Sequence, residues 1–261
     1  MTSTGRVLIV TGLAFTIYFV LNEAFFHSLR AAVTNWVHYV SLAHTITYLI
    51  LGIPLFMASL LMHEPSTFFY SIGLHQHLKK VLFAAFIFTA PMLIGYAIFF
   101  DFNTSISTEQ IIIGAVCAAF FEELYFRGFL FGHIYRFTNI GFIPSILIGA
   151  MLFASVHLYQ SQDLTTLIGI FLTTFLGAIL FAWVFIEWAE NLWMPIFLHF
   201  FMNLFWMLFS VGDNALGGLY ANIFRGITIA FIITGTIIYK KKNKIPLEIT
   251  KNTLLMKTKM P

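Results

Sequence analysis

Three ionisable residues interrupt an otherwise apolar run of the sequence, from Ile111 to Phe131. They are Glu122, Glu123 and Arg127, at positions where a transmembrane helix normally carries no charged side chain. Each charge near the centre of a bilayer costs about 2.5 to 3.5 kcal/mol on an insertion scale. Three such groups so close together therefore predict a functional site.

The spacing of these charges gives them different tasks. On an α-helix, residues four apart share a face, so Glu123 and Arg127 can form an ion pair. Neighbouring residues are separated by about 100 degrees, which turns Glu122 away from that pair and leaves it free to face a cavity. A carboxylate in that position, without a cationic partner of its own, has the profile of a general base.

Polar residues in two later apolar runs extend the candidate site. His157 follows Phe153 by one helical turn, and His199 precedes Asn203 by the same spacing. Because His199 and Asn203 share a helical face, they can present two hydrogen-bond donors to one point, as an oxyanion site requires. Each of these residues taken alone also has a structural interpretation, as a packing histidine or a polar contact between helices.

The depths of the three catalytic candidates in the membrane do not agree at first sight. Counted along each helix from its predicted cytoplasmic end, Glu122 lies about 13 Å deep, His199 about 8 Å and His157 about 20 Å, at 1.5 Å per residue. The side chains then meet only if a helix is tilted, or if the fifth apolar run begins later than residue 143.

The elements that must position these residues are transmembrane helices. Of the 261 residues, 59% are hydrophobic and 10% are charged, whereas soluble proteins carry about 25% charged residues. The composition excludes a soluble domain and predicts an all-α, polytopic bundle of about eight helices, formed by residues 1–239 as a single domain. Residues 240–261 are expected to form a basic, disordered tail. The predicted spans are residues 6–22, 39–62, 81–100, 110–131, 143–158, 164–186, 194–210 and 219–239.

Basic residues indicate how the chain crosses the membrane, because cytoplasmic loops carry an excess of lysine and arginine. The residues that an N-terminus inside the cell would place on the cytoplasmic side are Lys79, Lys80, Arg136, Lys240, Lys241, Lys242 and Lys244. Those that would fall outside are Asp101, Glu109, Asp163 and Asp213, while Arg30 and Arg225 are exceptions. We therefore predict a multi-pass protein of the cell membrane with both termini cytoplasmic. The first run is expected to stay as an anchor, since no small-residue cleavage site follows it, and nucleic-acid binding has no support.

The site residues together resemble the three signature motifs of the CAAX protease and bacteriocin-processing (CPBP, or Abi) family of intramembrane proteases. The resemblance covers residues 121–203, and all motif positions are filled. The matching residues are Glu122, Glu123, Phe126 and Arg127 in the first motif, Phe153 and His157 in the second, and His199 and Asn203 in the third.

The resemblance implies an intramembrane endopeptidase whose eight-helix bundle holds a polar cavity open to the cytoplasmic side. By this similarity, Glu122 with His157 would activate water, and His199 with Asn203 would stabilise the tetrahedral oxyanion. The pair next to Glu122 would hold that carboxylate in place. The substrate would be a peptide or protein at the lipid bilayer, with a prenylated C-terminus in the eukaryotic and archaeal members.

Two alternatives stay open. Glu122, His157 and His199 with water are also the ligand set of a catalytic zinc site, although a metal-free mechanism is favoured because Asn203 beside His199 suits an oxyanion donor. The second alternative is a non-catalytic membrane protein, such as a bacteriocin-immunity-like scaffold or a proton-coupled transporter. In such a protein the same charges would form a proton relay or a lock between helices.

Overall fold

A computed structural model describes residues 3–257 of the chain, which are helical through most of their length. The main elements are α1 Ser3–Val37, α2 Val40–Leu51, α3 Ile53–Met62, α4 Leu78–Phe99, α5 108–137, α6 Phe142–Ser155, α7 Leu164–Glu187, α8 Trp193–Leu208 and α9 Leu219–Lys242. Over the described residues there is no sheet, only isolated bridges between Phe102 and Phe209 and between Ile140 and Met256. The prediction of an all-α fold is confirmed.

Helix α5 is the central helix of the bundle and changes its hydrogen-bonding pattern along its length. Its segments Ile112–Cys117 and Glu123–Phe131 are π-helical, and the segments around them are α-helical. All nine residues of Glu123–Phe131 are buried. Because π-helical turns are rare and frequently occur at functional sites, the geometry of α5 itself marks the segment that carries the charged motif.

The bend between α2 and α3 fits these helices around α5. The two axes differ by 41°, and the break falls at Gly52. Pro54 lies in the first turn of α3 and has no N–H to donate to the preceding turn, which favours the break at this point. A β-carbon at Gly52 would collide with the hydroxyl of Tyr125 on α5, and this hydroxyl donates to Tyr48 O at 2.7 Å. The glycine therefore allows α5 to pack directly at the bend.

All eight predicted apolar runs are helical, but fewer of them qualify as membrane spans. Within the described part of the chain, five helices are long and apolar enough, or six if α2 and α3 count as one bent span. Helix α8 has only 16 residues, and α5 carries its charged motif inside the apolar stretch. By length and composition, the prediction of about eight spans is too high. Several such apolar helices fit a multi-pass membrane protein.

The charged residues separate between the two ends of the bundle, because successive helices run in alternate directions. The end that we call the basic end carries Lys79, Lys80, Arg136, Lys240, Lys241 and Lys242. The opposite end, which we call the acidic end, carries Asp101, Glu109, Asp163 and Asp213. Contacts hold neighbouring segments together at each end, for example Arg136 Nε to Glu190 Oε2 at 2.6 Å and Ser210 N to Asp101 O at 3.0 Å.

The segment after α9 packs across the basic end. Lys240 is buried, and its Nζ lies 2.6 Å from Glu187 Oε2. The same carboxylate accepts hydrogen bonds from the backbone N–H groups of Glu248, at 3.1 Å, and Ile249, at 2.9 Å. The prediction of a disordered tail over 240–261 did not include these contacts, because Glu187, the residue that the tail contacts, lies far away in the sequence. Residues 258–261 lie outside the described residues.

Candidate active site

A buried ion pair and a histidine join α5 to α8. Glu123 Oε1 lies 3.3 Å from Arg127 Nη1 and 2.9 Å from His199 Nδ1. Both charged side chains are almost completely buried, at 0% and 1% exposure. Because an ionised carboxylate can only accept hydrogen bonds, we assign the donor hydrogen to His199 Nδ1. The spacing on α5 therefore does bring Glu123 and Arg127 together, and their carboxylate also fixes the orientation of the imidazole.

Aromatic rings enclose Arg127. Its guanidinium carbon lies 4.2 Å from the ring centroid of Phe153 and 6.0 Å from that of Phe181. Its nitrogens form no hydrogen bond with any residue that the structure describes. The positive charge is thus balanced by Glu123 and by the ring faces rather than by hydrogen bonds. The Phe181 ring also lies 5.6 Å from the His199 ring, centroid to centroid, so it packs against both partners of Glu123.

Glu122 is the carboxylate that faces the open space. Its side chain is 23% exposed, whereas that of Glu123 is 0% exposed, and its Oε2 lies 4.0 Å from His199 Nε2. The two adjacent glutamates therefore lie on opposite sides of the same imidazole ring. When His199 is protonated at both nitrogens, Nε2 donates towards the space that Glu122 faces; in the neutral form with Nδ1–H, Nε2 accepts.

His157 lies just beyond the end of α6. Our sequence-based run extended to residue 158, but the helix ends at Ser155, and His157 precedes the helical turn Leu158–Gln160. Its Nδ1 lies 2.6 Å from Phe153 O, and the two rings are 4.6 Å apart, centroid to centroid. Since a carbonyl oxygen only accepts, Nδ1 carries the hydrogen and Nε2 is the acceptor nitrogen.

Asn203 lies one turn from His199 on α8, but the two side chains are held by different groups. Asn203 Nδ2 donates to Gly114 O at 3.0 Å, whereas His199 is bound to Glu123. Both partners belong to α5. The amide of Asn203 keeps a second hydrogen after the bond to Gly114.

A close contact between α5 and α6 relates the positions of Glu122 and His157. A β-carbon built on Gly149 of α6 would lie only 3.2 Å from Leu130 Cδ2 of α5, so these two positions are level with each other. Glu122 precedes Leu130 by eight residues and His157 follows Gly149 by eight, and both steps lead towards the acidic end. Both side chains therefore lie on the acidic-end side of this contact, and both line the same cavity.

A second contact relates the position of His199 on α8 to that of Glu122 on α5. A β-carbon on Gly128 of α5 would lie 2.8 Å from Leu192 Cδ2, just before α8 begins. Glu122 is six residues from Gly128, and His199 is seven residues from Leu192. The predicted depths were counted from separate helix ends, but α5 continues to residue 137, well past the level at which α8 starts. The predicted helix ends were not a common reference plane.

These groups lie around a cavity of about 1250 Å³. The site residues that line it are Glu122, Arg127, His157, His199 and Asn203, with Glu123 buried behind them. The cavity also runs between α7 and α9, where Gly177 and Gly226 line it and have open space at the position of a β-carbon. The structure therefore brings together, around one cavity, residues that the sequence places on five different segments.

The cavity extends towards the acidic end. Residues of the loops 157–160 and 212–215 line it, and these loops follow the ends of α6 and α8 at the acidic end. The resemblance implied a cavity open to the cytoplasmic side, whereas the lysine distribution assigns the cytoplasm to the basic end. These two expectations conflict, because the lysine-rich segments and the cavity-lining loops lie at opposite ends of the bundle.

Several residues of the cavity wall were not among the predicted site residues. Arg225 on α9 and Trp206 on α8 line it, as does Asp213 in the loop between them. The signal for Arg225 was its position as an exception to the charge distribution. No sequence signal distinguished Gly177 and Gly226 from other glycines in apolar helices.

A zinc site would need at least three protein ligands close together. Throughout residues 3–257, no group of three or more His, Cys, Asp or Glu side chains could hold a metal ion. Glu122 and His199 are near neighbours, but His157 does not complete a ligand group with them. As placed in the described residues, these donors do not fit a zinc ion.

The segment that carries all six site residues is similar to proteins of a known family. Residues 104–205 match the family model described as type II CAAX prenyl endopeptidase Rce1-like. A curated relative from Bacillus subtilis (strain 168), "Putative membrane peptidase YdiL", is 34% identical over 96 residues, and the match covers 37% of this chain and 35% of that relative. No solved structure matches the chain. Residues 104–205 thus form an Rce1-like domain of the type II CAAX prenyl endopeptidase family.

Proposed function

We propose that this chain is an intramembrane endopeptidase of the CAAX-protease type, which hydrolyses a peptide bond with water activated by Glu122. The observation that carries the proposal is the different placement of two adjacent carboxylates. Glu123 is buried and paired with Arg127, whereas Glu122 faces the cavity beside His199. One carboxylate is thus available for proton transfer while the other is fixed. The family of residues 104–205 supports the same reaction class.

Water must lose a proton as it attacks the carbonyl carbon of the scissile bond. Glu122 takes this proton, because it lines the cavity beside His199 and, unlike Glu123, is not paired with Arg127. His157 orients the water by accepting its second hydrogen at Nε2, since its Nδ1 hydrogen is committed to Phe153 O. Glu122 then delivers the proton to the leaving nitrogen, so the products are a carboxylic acid and an amine.

The carbonyl oxygen becomes negatively charged during the attack and needs donors. His199 in its doubly protonated form donates Nδ1–H to Glu123 and turns Nε2–H towards the cavity. Asn203 contributes its second amide hydrogen from the same face of α8. Donors fixed in advance are effective because they need no reorganisation during the reaction. The role of Glu123 and Arg127 is to hold the imidazole in that orientation.

We place the mouth of the cavity on the extracytoplasmic side. The lysine-rich basic end faces the cytoplasm by the positive-inside rule, and the loops that line the cavity lie at the other end. A peptide would reach Glu122 from that side or through the space between α7 and α9. This orientation replaces the cytoplasmic opening that the resemblance implied.

The function is tested by comparing peptide termini in membranes of cells that express the chain, Glu122→Ala or Glu109→Ala. Glu109 is the matched control, because it lies on the same helix but outside the cavity, near Ser41. We expect new peptide termini with the unmodified chain and with Glu109→Ala, and their loss with Glu122→Ala. If cells with a folded Glu122→Ala protein at normal abundance still produced the new peptide termini, the proposal would be contradicted.

A further inference from the structure

His157 lies at the start of a turn that its own helix does not hold. Helix α6 ends at Ser155, and Leu158–Gln160 form one short helical turn in which Gln160 N donates to His157 O at 3.3 Å. None of the three residues of this turn is buried, and Tyr159 is 81% exposed. Because a single short turn is only marginally stable by itself, a further contact must fix the backbone that carries His157.

The side chain of Gln160 makes such a contact with another loop. Its Oε1 accepts a hydrogen bond from the backbone N–H of Ala215 at 2.7 Å, across 55 residues of sequence. Within residues 3–257, no other hydrogen bond links the segment 156–162 to a distant part of the chain. Gln160 and Ala215 both line the cavity, so this bond joins the loop after α6 to the loop after α8 at the acidic end of the cavity.

The loop after α8 is itself well anchored. Asn214 Oδ1 accepts a hydrogen bond from Leu216 N at 3.0 Å, and Trp206 Nε1 of α8 donates to Gly212 O at 3.0 Å. The Leu216 side chain packs on α7, where a β-carbon at Gly169 would lie 2.7 Å from Leu216 Cδ2. The loop is therefore fixed to two helices and offers the turn after His157 a firm point of attachment.

The Gln160–Ala215 bond acts on the His157 ring through the backbone. The ring is held by the hydrogen bond of Nδ1 to Phe153 O at 2.6 Å, but His157 lies beyond the α-helical residues of α6. The place of Nε2 in the cavity therefore depends on where the following turn lies. A misplacement of about 1 Å in a catalytic group can cost about 100-fold in rate.

We propose that Gln160 is a positioning residue for His157, which it holds at the cavity by accepting the N–H of Ala215. The inference rests on the proposed function and adds a residue to its machinery. In this role Gln160 contacts neither the water nor the peptide, and only its acceptor oxygen is needed. A carboxylate at the same position should therefore replace it, whereas an apolar side chain of similar size should not.

The test measures steady-state cleavage by purified full-length variants on a substrate identified from the peptide termini, and amide hydrogen exchange of the same samples by mass spectrometry. Gln160→Leu removes the acceptor at similar size, and Gln160→Glu keeps an acceptor oxygen. Gln76→Leu is the matched control. The Gln76 side chain also bonds a distant backbone group, donating to Ala189 O at 3.3 Å, but it lies outside the cavity.

We expect kcat of Gln160→Leu to fall at least about tenfold while KM stays within about twofold, because His157 acts on the water and not on the bound peptide. Gln160→Glu and Gln76→Leu should keep kcat within about threefold of the unmodified chain, and all variants should keep its thermal unfolding temperature. The amides of residues 156–162 should exchange roughly fivefold faster in Gln160→Leu alone, as for the loss of one hydrogen bond.

A Gln160→Leu protein whose kcat stays within about twofold of the unmodified value overturns the proposal. An equal loss of kcat in Gln160→Glu, or unchanged exchange of residues 156–162, overturns it as well. A loss confined to KM would assign Gln160 to peptide binding instead. Failure of the proposed function is distinguishable, since an unmodified chain that cleaves nothing removes the peptidase, while faster exchange in Gln160→Leu still shows that the bond fixes the turn.

Discussion

Removal of Arg127 should destabilise the fold more than removal of the whole ion pair to which it belongs. Arg127→Met leaves the Glu123 carboxylate at 0% exposure, with His199 as its hydrogen-bond partner and with Oε2 unbonded. Breaking a buried pair by removing one partner costs about 3 to 5 kcal/mol, because the remaining charge is uncompensated. We therefore expect the free energy of unfolding to fall by about that amount in the single variant.

The double variant Glu123→Leu with Arg127→Met carries neither charge. Replacing a buried pair by apolar residues of similar volume is often neutral or stabilising, so the main loss is the acceptor of His199 Nδ1, about 1 to 3 kcal/mol. The double variant should thus be more stable than Arg127→Met alone. The double variant should also lose cleavage, because the imidazole of His199 is no longer held by Glu123.

Equilibrium unfolding of the purified variants in mixed micelles measures both differences, with Glu109→Gln as a control on the same helix. An Arg127→Met protein within about 1 kcal/mol of the unmodified chain would refute the reasoning, because a buried carboxylate cannot lose its cation so cheaply. A double variant less stable than the single one would refute it too.

Three further predictions concern the cavity, its orientation and metal. Gly226→Phe should block cleavage without loss of thermal stability, because a β-carbon there meets open space; Gly12→Phe, equally open but outside the cavity, should leave cleavage unchanged. Blocked cleavage by both, or by neither, would contradict the assigned path. In a Cys117→Ala chain, a membrane-impermeant maleimide on intact cells should label Asp213→Cys and reach Lys251→Cys only after permeabilisation, and the reverse pattern would invert the orientation. Purified protein should keep full activity after chelation and contain no stoichiometric zinc, whereas activity restored only by zinc would establish a metal site.

The chemistry of the charged motif was predictable because it depends on local geometry. Glu123 and Arg127 are four residues apart on one helix, so their contact follows from the helical repeat alone. The turn from Phe153 to His157 follows from the same rule. The resemblance to a protease family also depended on such local spacings.

The contacts between helices were not predictable, because they depend on register. His199 reaches Glu123 across a contact between helices in which Gly128 leaves room for Leu192 against α5. The sequence shows the glycine but does not show that Leu192 packs against it. The contact of the C-terminal segment with Glu187 is likewise a long-range one, and apolar composition gave no information on which end of the bundle the cavity approaches.

The most direct test of the central claim is the cleavage rate of purified Glu122→Gln protein on a substrate identified from the peptide termini. Glutamine keeps the size and hydrogen-bonding shape of the side chain but cannot take the proton from water. We expect the rate to fall at least about 100-fold, the lower range for loss of a general base, with an unchanged thermal unfolding temperature. A folded Glu122→Gln protein that cleaves within about tenfold of the unmodified rate would contradict the assignment of Glu122 as the base.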